Sequence, residues 1–239
     1  MKSNHKDYNF EDSLGRIDEI LNANSKNYEE LKYIPNRDKL TFTNGFYVQC
    51  TAVFVDIRDS SKMTDQHRRS VLAKIYRSFI SETIAIFNGN STCREVSIQG
   101  DCVWAVFNTL NKEELRLVLS SCAQVNSLID VLNIKFNRKG YQRIDVGIGV
   151  DYGRALMIKA GYKGSSINDV IWMGDVVNQA CHLSSYKDAH IMISSIVYDN
   201  LENIQYEKWR DWFTKKAGKD YYFGNIINVE MNDWIKHYK

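Results

Sequence analysis

Residues 50–61 read Cys50-Thr51-Ala52-Val53-Phe54-Val55-Asp56-Ile57-Arg58-Asp59-Ser60-Ser61, and residues 95–107 read Glu-Val-Ser-Ile-Gln-Gly-Asp-Cys-Val-Trp-Ala-Val-Phe. Asp56 interrupts an otherwise apolar strand, and Asp101 follows a glycine between two strand-like runs, the sequence of a hairpin turn. A carboxylate inside an apolar strand is costly unless it is paired, hydrogen-bonded or bound to a cation. Two carboxylates on adjacent strands can share hard divalent cations, which take oxygen ligands and complete their shell with substrate phosphates.

Between the two stretches, Val71, Leu72, Ile75, Phe79, Ile86 and Phe87 recur at helical intervals, so a long helix is expected, capped at Thr64 and ending near Asn88-Gly89. Leu115, Val118, Leu119, Cys122, Val125, Ile129 and Leu132 mark a second long helix. Strands are expected over 143–150, 155–160, 191–194 and 221–229, and helices over 175–185, near 197–201 and from Met231 to Tyr238. An amphipathic helix from Asn9 to Ala23 carries Phe10, Leu14, Ile17, Ile20 and Leu21 and reads most simply as closing off the core. Strand, helix, hairpin, helix and further strand make an α+β fold, an antiparallel-rich sheet with helices packed on one face.

The whole chain narrows the function. With 239 residues and 44% hydrophobic content it can bury a sizeable core. A net charge of +2 without a concentrated basic face disfavours nucleic acid as a partner. No apolar run approaches the roughly 18 residues of a membrane span, and the N-terminus lacks the apolar core of a signal peptide, so a cytoplasmic location is expected. The five cysteines show no Cys-x-x-Cys pair and read as reduced thiols. Gly147, Gly149 and Gly153 have the wrong spacing and no following helix for a dinucleotide loop; Gly147 and Gly149 read as sites of close strand packing and Gly153 as a turn.

The Phe54-x-Asp56-Ile57 segment, the Ile98-x-Gly100-Asp101 hairpin and a downstream pair, Val146-Gly-Ile-Gly-Val-Asp-Tyr-Gly153 and Gly174-Asp-Val-Val-Asn-Gln-Ala-Cys-His-Leu183, resemble in order and spacing the class III nucleotidyl cyclases. The resemblance covers roughly residues 48 to 200 and is closest to the bacterial pyrimidine cyclases of the Pycsar antiphage systems. It implies a ferredoxin-like cyclase core. The organisation expected is an N-terminal helix and linker over 1–44, a catalytic domain over 45–205, and a C-terminal strand and short helix completing it over 206–239.

The same resemblance implies the site. Asp56, Asp101 and the backbone carbonyl of Ile57 are the family-matched ligands of two magnesium or manganese ions. Asn178 matches the asparagine that orients the ribose, and His182 stands where the family places an arginine facing the phosphate, either as its substitute or as a structural helix histidine. Arg58 reaches a phosphate or makes an ion pair; Asp59, at a position that is often glycine, turns away, caps a helix or touches metal. The purine-selecting pair of the family falls on Ser97 and Ile171, which match neither the adenine nor the guanine combination. Phe54 occupies a base-contact position and Trp172 adds bulk beside Ile171.

The implied activity is conversion of UTP, or else CTP, to its 3′,5′-cyclic monophosphate, with a product read by a separate cyclic-nucleotide-binding effector. Because the family splits each site between two domains and this chain has room for one, a homodimer with shared sites is expected. A purine cyclase and a degenerate nucleotide-binding regulatory module are the alternatives.

Overall fold

The computed structural model describes residues 3–201 and 208–238. In chain order the elements are α1 (Phe10–Leu21), β1 (Tyr28–Leu31), β2 (Gly45–Ile57), α2 (Ser60–Gln66), α3 (Arg69–Asn88), β3 (Cys93–Gln99), β4 (Cys102–Phe107), α4 (Lys112–Asn137), β5 (Val146–Gly161), β6 (Asn168–Met173), α5 (Asp175–Ser184), β7 (Ile191–Ser194), α6 (Ser195–Asn200), β8 (Thr214–Lys215), β9 (Tyr221–Gly224) and α7 (Val229–Tyr238). Contacts divide them into two compact units: residues up to Gln49 with Arg154–Asp175, and Cys50–Gly153 with residues from Val176 onward. The boundary expected between 205 and 206 lies outside the described residues.

The larger unit holds the strand order β3-β4-β2-β5-β7-β9-β8. Its core follows from the two-residue period of the strands. Val53, Val55 and Ile57 of β2, Val103, Ala105 and Phe107 of β4, and Val146, Ile148 and Val150 of β5 are buried on one face, together with Leu72, Ile75 and Phe79 of α3 and Leu119, Cys122 and Ile129 of α4. Each Val, Leu, Ile or Phe among them contributes about 1.5–3 kcal/mol by leaving water. A capping box opens α4: Glu114 N–H donates to the Asn111 side chain at 3.0 Å, and Asn111 N–H to the Glu114 carboxylate at 3.2 Å. By length and composition α4 is long and apolar enough to cross a bilayer, which corrects the expectation that no stretch comes near it; 67% of its most apolar window is buried, as in a core helix.

The other face of the sheet carries α5. Gly147 and Gly149 lie beneath it: a Cβ at Gly147 would fall 1.7 Å from the Ser184 carbonyl oxygen, and one at Gly149 2.0 Å from that of Ala180. These glycines therefore admit a helix backbone, where strand packing was expected. Gly153 makes no turn, because β5 runs unbroken from Val146 to Gly161. Thr64 lies within α2, and the long helix after it starts at Arg69. The strand expected to reach residue 229 stops at Gly224.

The smaller unit pairs β1 with the start of β2 in parallel and β6 with the far half of β5 in antiparallel register. Arg154 donates to both carboxylate oxygens of Glu30 and stacks over Tyr47 at 3.7 Å. The Asn9 side chain caps α1, and none of the helix's residues is buried, so it closes no core.

One polar network fixes the end of β2. Arg58 N–H donates to the Asp145 carbonyl at 2.9 Å, and its guanidinium donates to the Asp145 carboxylate at 2.9 Å and to the carbonyls of Tyr186 and Ala189 at 2.8 and 2.5 Å. Asp145 also meets His190 Nε2 at 2.9 Å, while His190 Nδ1 faces the Asn126 side-chain oxygen at 2.5 Å. Burial alone would raise the Asp145 carboxyl, but the contacts with His190 and Arg58 hold it well below the usual carboxylate range.

Two outcomes test this packing. Gly147→Ala drives a methyl into the Ser184 carbonyl and is expected to cost about 2 kcal/mol or more in urea denaturation; wild-type stability would mean that α5 does not rest on β5. Because Asp145 titrates below its unfolded value, its contribution is complete above the ordinary carboxylate range near pH ~4 and is lost as pH falls through the lower folded value. Asp145→Asn should therefore be less stable by about 1 kcal/mol at pH 7, a value discounted for a carboxylate that is half exposed, with the gap to wild type closing in acid. A gap that stays constant with pH would remove the charge argument.

Candidate active site

On the face of β2 opposite the core stand Ala52, Phe54 and Asp56, the alternate residues of the strand. The register sets Asp56 against Cys102 and Phe54 against Trp104 on β4, and Ser97 of β3 against the same Trp104. The rings of Phe54 and Trp104 stack with centroids 5.1 Å apart and planes 4° from parallel. Asp101 sits in the turn joining β3 and β4, after Gly100 at φ 66°.

The electrostatics of this end of the sheet are those of two like charges held close. Asp56 is half-buried, and its carboxyl is pushed above the usual range first by burial and then by the negative charge of Asp101. Burial, followed by the charge of Asp56, pushes the Cys102 thiol up to about 12, and Cys181 of α5 is raised by the same two causes. Among the described residues neither Asp56 nor Asp101 enters an ion pair, and no three His, Cys, Asp or Glu side chains converge on one point. The oxygen donors observed at this end of the sheet are the two carboxylates, while the Ile57 side chain is in the core. Hard oxygen donors with unrelieved negative charge fit a divalent cation.

The neighbouring charged residues are turned elsewhere. Of the two readings of Arg58, the structure shows the ion pair: its side chain is only 11% exposed and bonded to Asp145. Asp59 adopts the left-handed conformation (φ 54°, ψ 28°), the only non-glycine at positive φ among the described residues, which accounts for a position where glycine is the easier choice. It makes no capping hydrogen bond to α2; its carboxylate instead meets Lys62 at 3.0 Å and Lys187 at 3.2 Å, and the two hydrogen bonds lower its pKa.

Asn178 and His182, four residues apart on α5, are both exposed, and neither side chain has a hydrogen-bonding partner among the described residues. Ile171 and Trp172 are consecutive on β6 and so face opposite ways. Ile171 is 42% exposed, whereas Trp172 is 7% exposed and pairs in register with the buried Met157. The expectation that Trp172 adds bulk beside Ile171 is therefore corrected: it belongs to the packed side of its strand. The aromatic surface beside Asp56 comes from Trp104. The sequence held the signal for it, since the alternation through Cys102, Trp104 and Val106 matches Asp56, Phe54 and Ala52 across the hairpin.

With this geometry in hand, comparison with known proteins is direct. Residues 44–225 match the adenylate and guanylate cyclase catalytic domain. The chain is similar to a uridylate cyclase of Gulbenkiania mobilis, 41% identical with 100% of both chains covered, and to one of Treponema porcinum, 35% identical over 95% of this chain and 81% of the relative. Among solved structures, the adenylyl cyclase CyaB of P. aeruginosa superimposes with a TM-score of 0.62 at 18% identity, covering 75% of this chain and 93% of that one. A class III adenylyl cyclase-like ATP-binding protein from Pseudomonas aeruginosa gives 0.67 at 16% identity, covering 86% of this chain and 45% of that one. Matched over most of its length and strongly similar to curated relatives, the chain belongs to the class III nucleotidyl cyclase family.

Proposed function

We propose that the protein converts UTP, or else CTP, to the 3′,5′-cyclic monophosphate and pyrophosphate, as a homodimer in which each site takes Asp56 and Asp101 from one copy and Asn178 and His182 from the other. The observation that carries this reading is the half-buried pair Asp56 and Asp101, whose like charges no side-chain cation relieves among the described residues. In the reaction the ribose 3′-oxygen forms a bond to the α-phosphorus, the bond from that phosphorus to the pyrophosphate oxygen breaks, and the hydroxyl proton passes to solvent.

Asp56, Asp101 and the Ile57 carbonyl would hold magnesium or manganese, two ions per site, which lower the proton affinity of the hydroxyl and neutralise charge on the leaving group. The protein's own share is positioning. Asn178 orients the ribose through its amide. His182 faces the charge developing on the α-phosphate, with an imidazole where the family has a guanidinium, and so without the planar fork that binds two oxygens at once. That substitution is what favours a second reading, a domain that binds a nucleotide without turning it over. Retention of both metal carboxylates supports the enzyme.

Base choice follows from what Ser97 and Ile171 lack. A serine offers one hydrogen bond and no charge, and an isoleucine offers an exocyclic amine nothing, so a purine would bury unpaired polar edges at about 1–3 kcal/mol each. The stacked Phe54 and Trp104 provide an aromatic surface beside Ser97. The similarity to relatives named uridylate cyclases favours UTP. By resemblance to Pycsar cyclases, the product is a second messenger of antiphage defence read by a separate effector, and the enzyme works in the cytoplasm.

Asp56→Asn and Asp101→Asn are each expected to lower turnover by a hundredfold or more. Asp56→Asn should also hold or raise stability at neutral pH, since a carboxyl whose pKa is raised by folding destabilises the fold in its charged form; an active Asp56→Asn enzyme would end the two-carboxylate mechanism. Mixing Asp56→Asn with Asn178→Ala subunits should restore activity through heterodimers that carry one intact site. Heterodimers confirmed by mass yet inactive would place the two residues in the same half-site. Equal ATP, GTP, CTP and UTP with manganese should yield chiefly a cyclic pyrimidine monophosphate, and mostly cyclic AMP or cyclic GMP would refute the base argument.

A further inference from the structure

The helical layer of the larger unit carries a groove of its own. Between the last two turns of α3, the middle of α4 and the first turn of α7 lies a cavity of about 520 Å³, within the range of small-molecule sites. It is open to solvent, and no residue of the candidate active site lines it. One side chain ties its walls together. Asn90, just past the end of α3, donates through its amide to the Leu117 carbonyl at 3.0 Å and to Ser121 Oγ at 2.9 Å, while its side-chain oxygen accepts from the Thr92 N–H at 2.9 Å and the Thr92 hydroxyl at 2.8 Å. All four hydrogen-bonding positions of this amide are in use. The spacing of α3 and α4 is thus set before any ligand arrives, which removes part of the ordering cost of binding.

The lining divides by chemistry. Ile86, Leu117, Leu128 and Met231 supply an apolar surface, and Glu82, Ser120 and Gln124 supply polar groups. Among the described residues the side chains of Ser120 and Gln124 have no hydrogen-bond partner, and the Glu82 carboxylate accepts only from the adjacent Ser81 hydroxyl at 3.3 Å. No lysine or arginine lines the groove. The end of α3 meets it at Gly89, and the last turn of that helix holds no basic residue to offset the partial negative charge of a helix C-terminus. A full and a partial negative charge therefore stand beside an apolar surface. A hard metal ion is poorly served by a single carboxylate in such surroundings. A cation that carries its own hydrocarbon fits both parts of the lining.

We propose that this groove binds a small organic ammonium ion with an apolar body, its charge drawn by Glu82 and the C-terminal end of α3 and its hydrocarbon placed against Ile86, Leu117, Leu128 and Met231. Ser120 and Gln124 serve as hydrogen-bond acceptors along the groove. Such a ligand is neither substrate nor product of nucleotide cyclisation, so the site does not depend on the cyclase reading above.

Calorimetric titration of the full chain with 2-phenylethylammonium tests this, alongside neutral 2-phenylethanol and anionic 3-phenylpropanoate, which keep the hydrocarbon and change the charge. Wild type should bind the ammonium with a Kd of about 1 mM or tighter. The alcohol should bind about tenfold more weakly, for want of a charge-assisted contact, and the anion should give no saturable heat. Glu82→Gln, at an exposed position, should weaken the ammonium about tenfold and leave the alcohol unchanged, a difference that general damage to the fold would not produce. Ala85→Trp, which fills the groove from another exposed position on α3, should abolish binding of both with Tm unchanged. Where that bulky variant does not fold, Glu82→Gln decides alone. Absence of saturable binding by wild type, equal affinity for ammonium and alcohol, or a Glu82→Gln protein that binds the ammonium as wild type does would each overturn the proposal. Binding that persists in folded Ala85→Trp would do the same, because it would place the ligand elsewhere.

Discussion

Two carboxylates that repel each other set the terms for the rest of the molecule. Asp56 is half-buried next to Asp101, and both causes of its shifted pKa, burial and the neighbouring charge, work against its ionised form. Such a pair holds together only where the surrounding structure over-determines it. The surroundings do so on the opposite face: Val53, Val55 and Ile57 are packed under α3 and α4. The strand is anchored by its apolar side so that its other side can carry charge.

Rigidity at that strand end comes from a second layer of polar contacts. Arg58 bonds to the start of β5 through both the carbonyl and the carboxylate of Asp145, and to the loop after α5 through two carbonyls. The carboxylate strand and the helix that bears Asn178 and His182 are therefore tied through one guanidinium. A lysine at 58 could not reproduce this, since three acceptors in different directions need the fixed fork of a guanidinium. The same helix is seated on β5 by two glycines that let backbone meet backbone, so its position depends on both residues being without a side chain.

How much of this was legible in the sequence depends on the range of the interaction. Asp56 and Asp101 stand out because a charged residue in an apolar strand and a Gly-Asp turn are local signals, and the helical spacing of α3 and α4 is equally local. The Arg58 network was not legible. The partners of Arg58, namely Asp145, Tyr186 and Ala189, lie about 90 to 130 residues away, and three of the contacts are to main-chain carbonyls, which carry no sequence signature at all. The role of Gly147 and Gly149 was read as close packing, but the packing partner was a helix, because strand periodicity cannot say what lies above a face. Gly153 was read as a turn, although β5 continues through it.

The strand alternation also decides which residues can meet a base under the proposed function. The sequence reading has Trp172 adding bulk beside Ile171, yet consecutive strand residues cannot share a face, and Trp172 is the one turned inward against Met157. Bulk next to the carboxylates comes from Trp104, directly opposite Phe54 and Ser97 in the ladder. Under that reading, selection against purines would rest on two separate features: the stacked Phe54 and Trp104, and the lack at Ser97 and Ile171 of the polar groups that an adenine or guanine edge requires. The first acts through shape and the second through unpaired polar atoms. Under the same reading, smaller side chains in place of the aromatic pair would admit a purine without binding it well, because its polar edge would still lack partners.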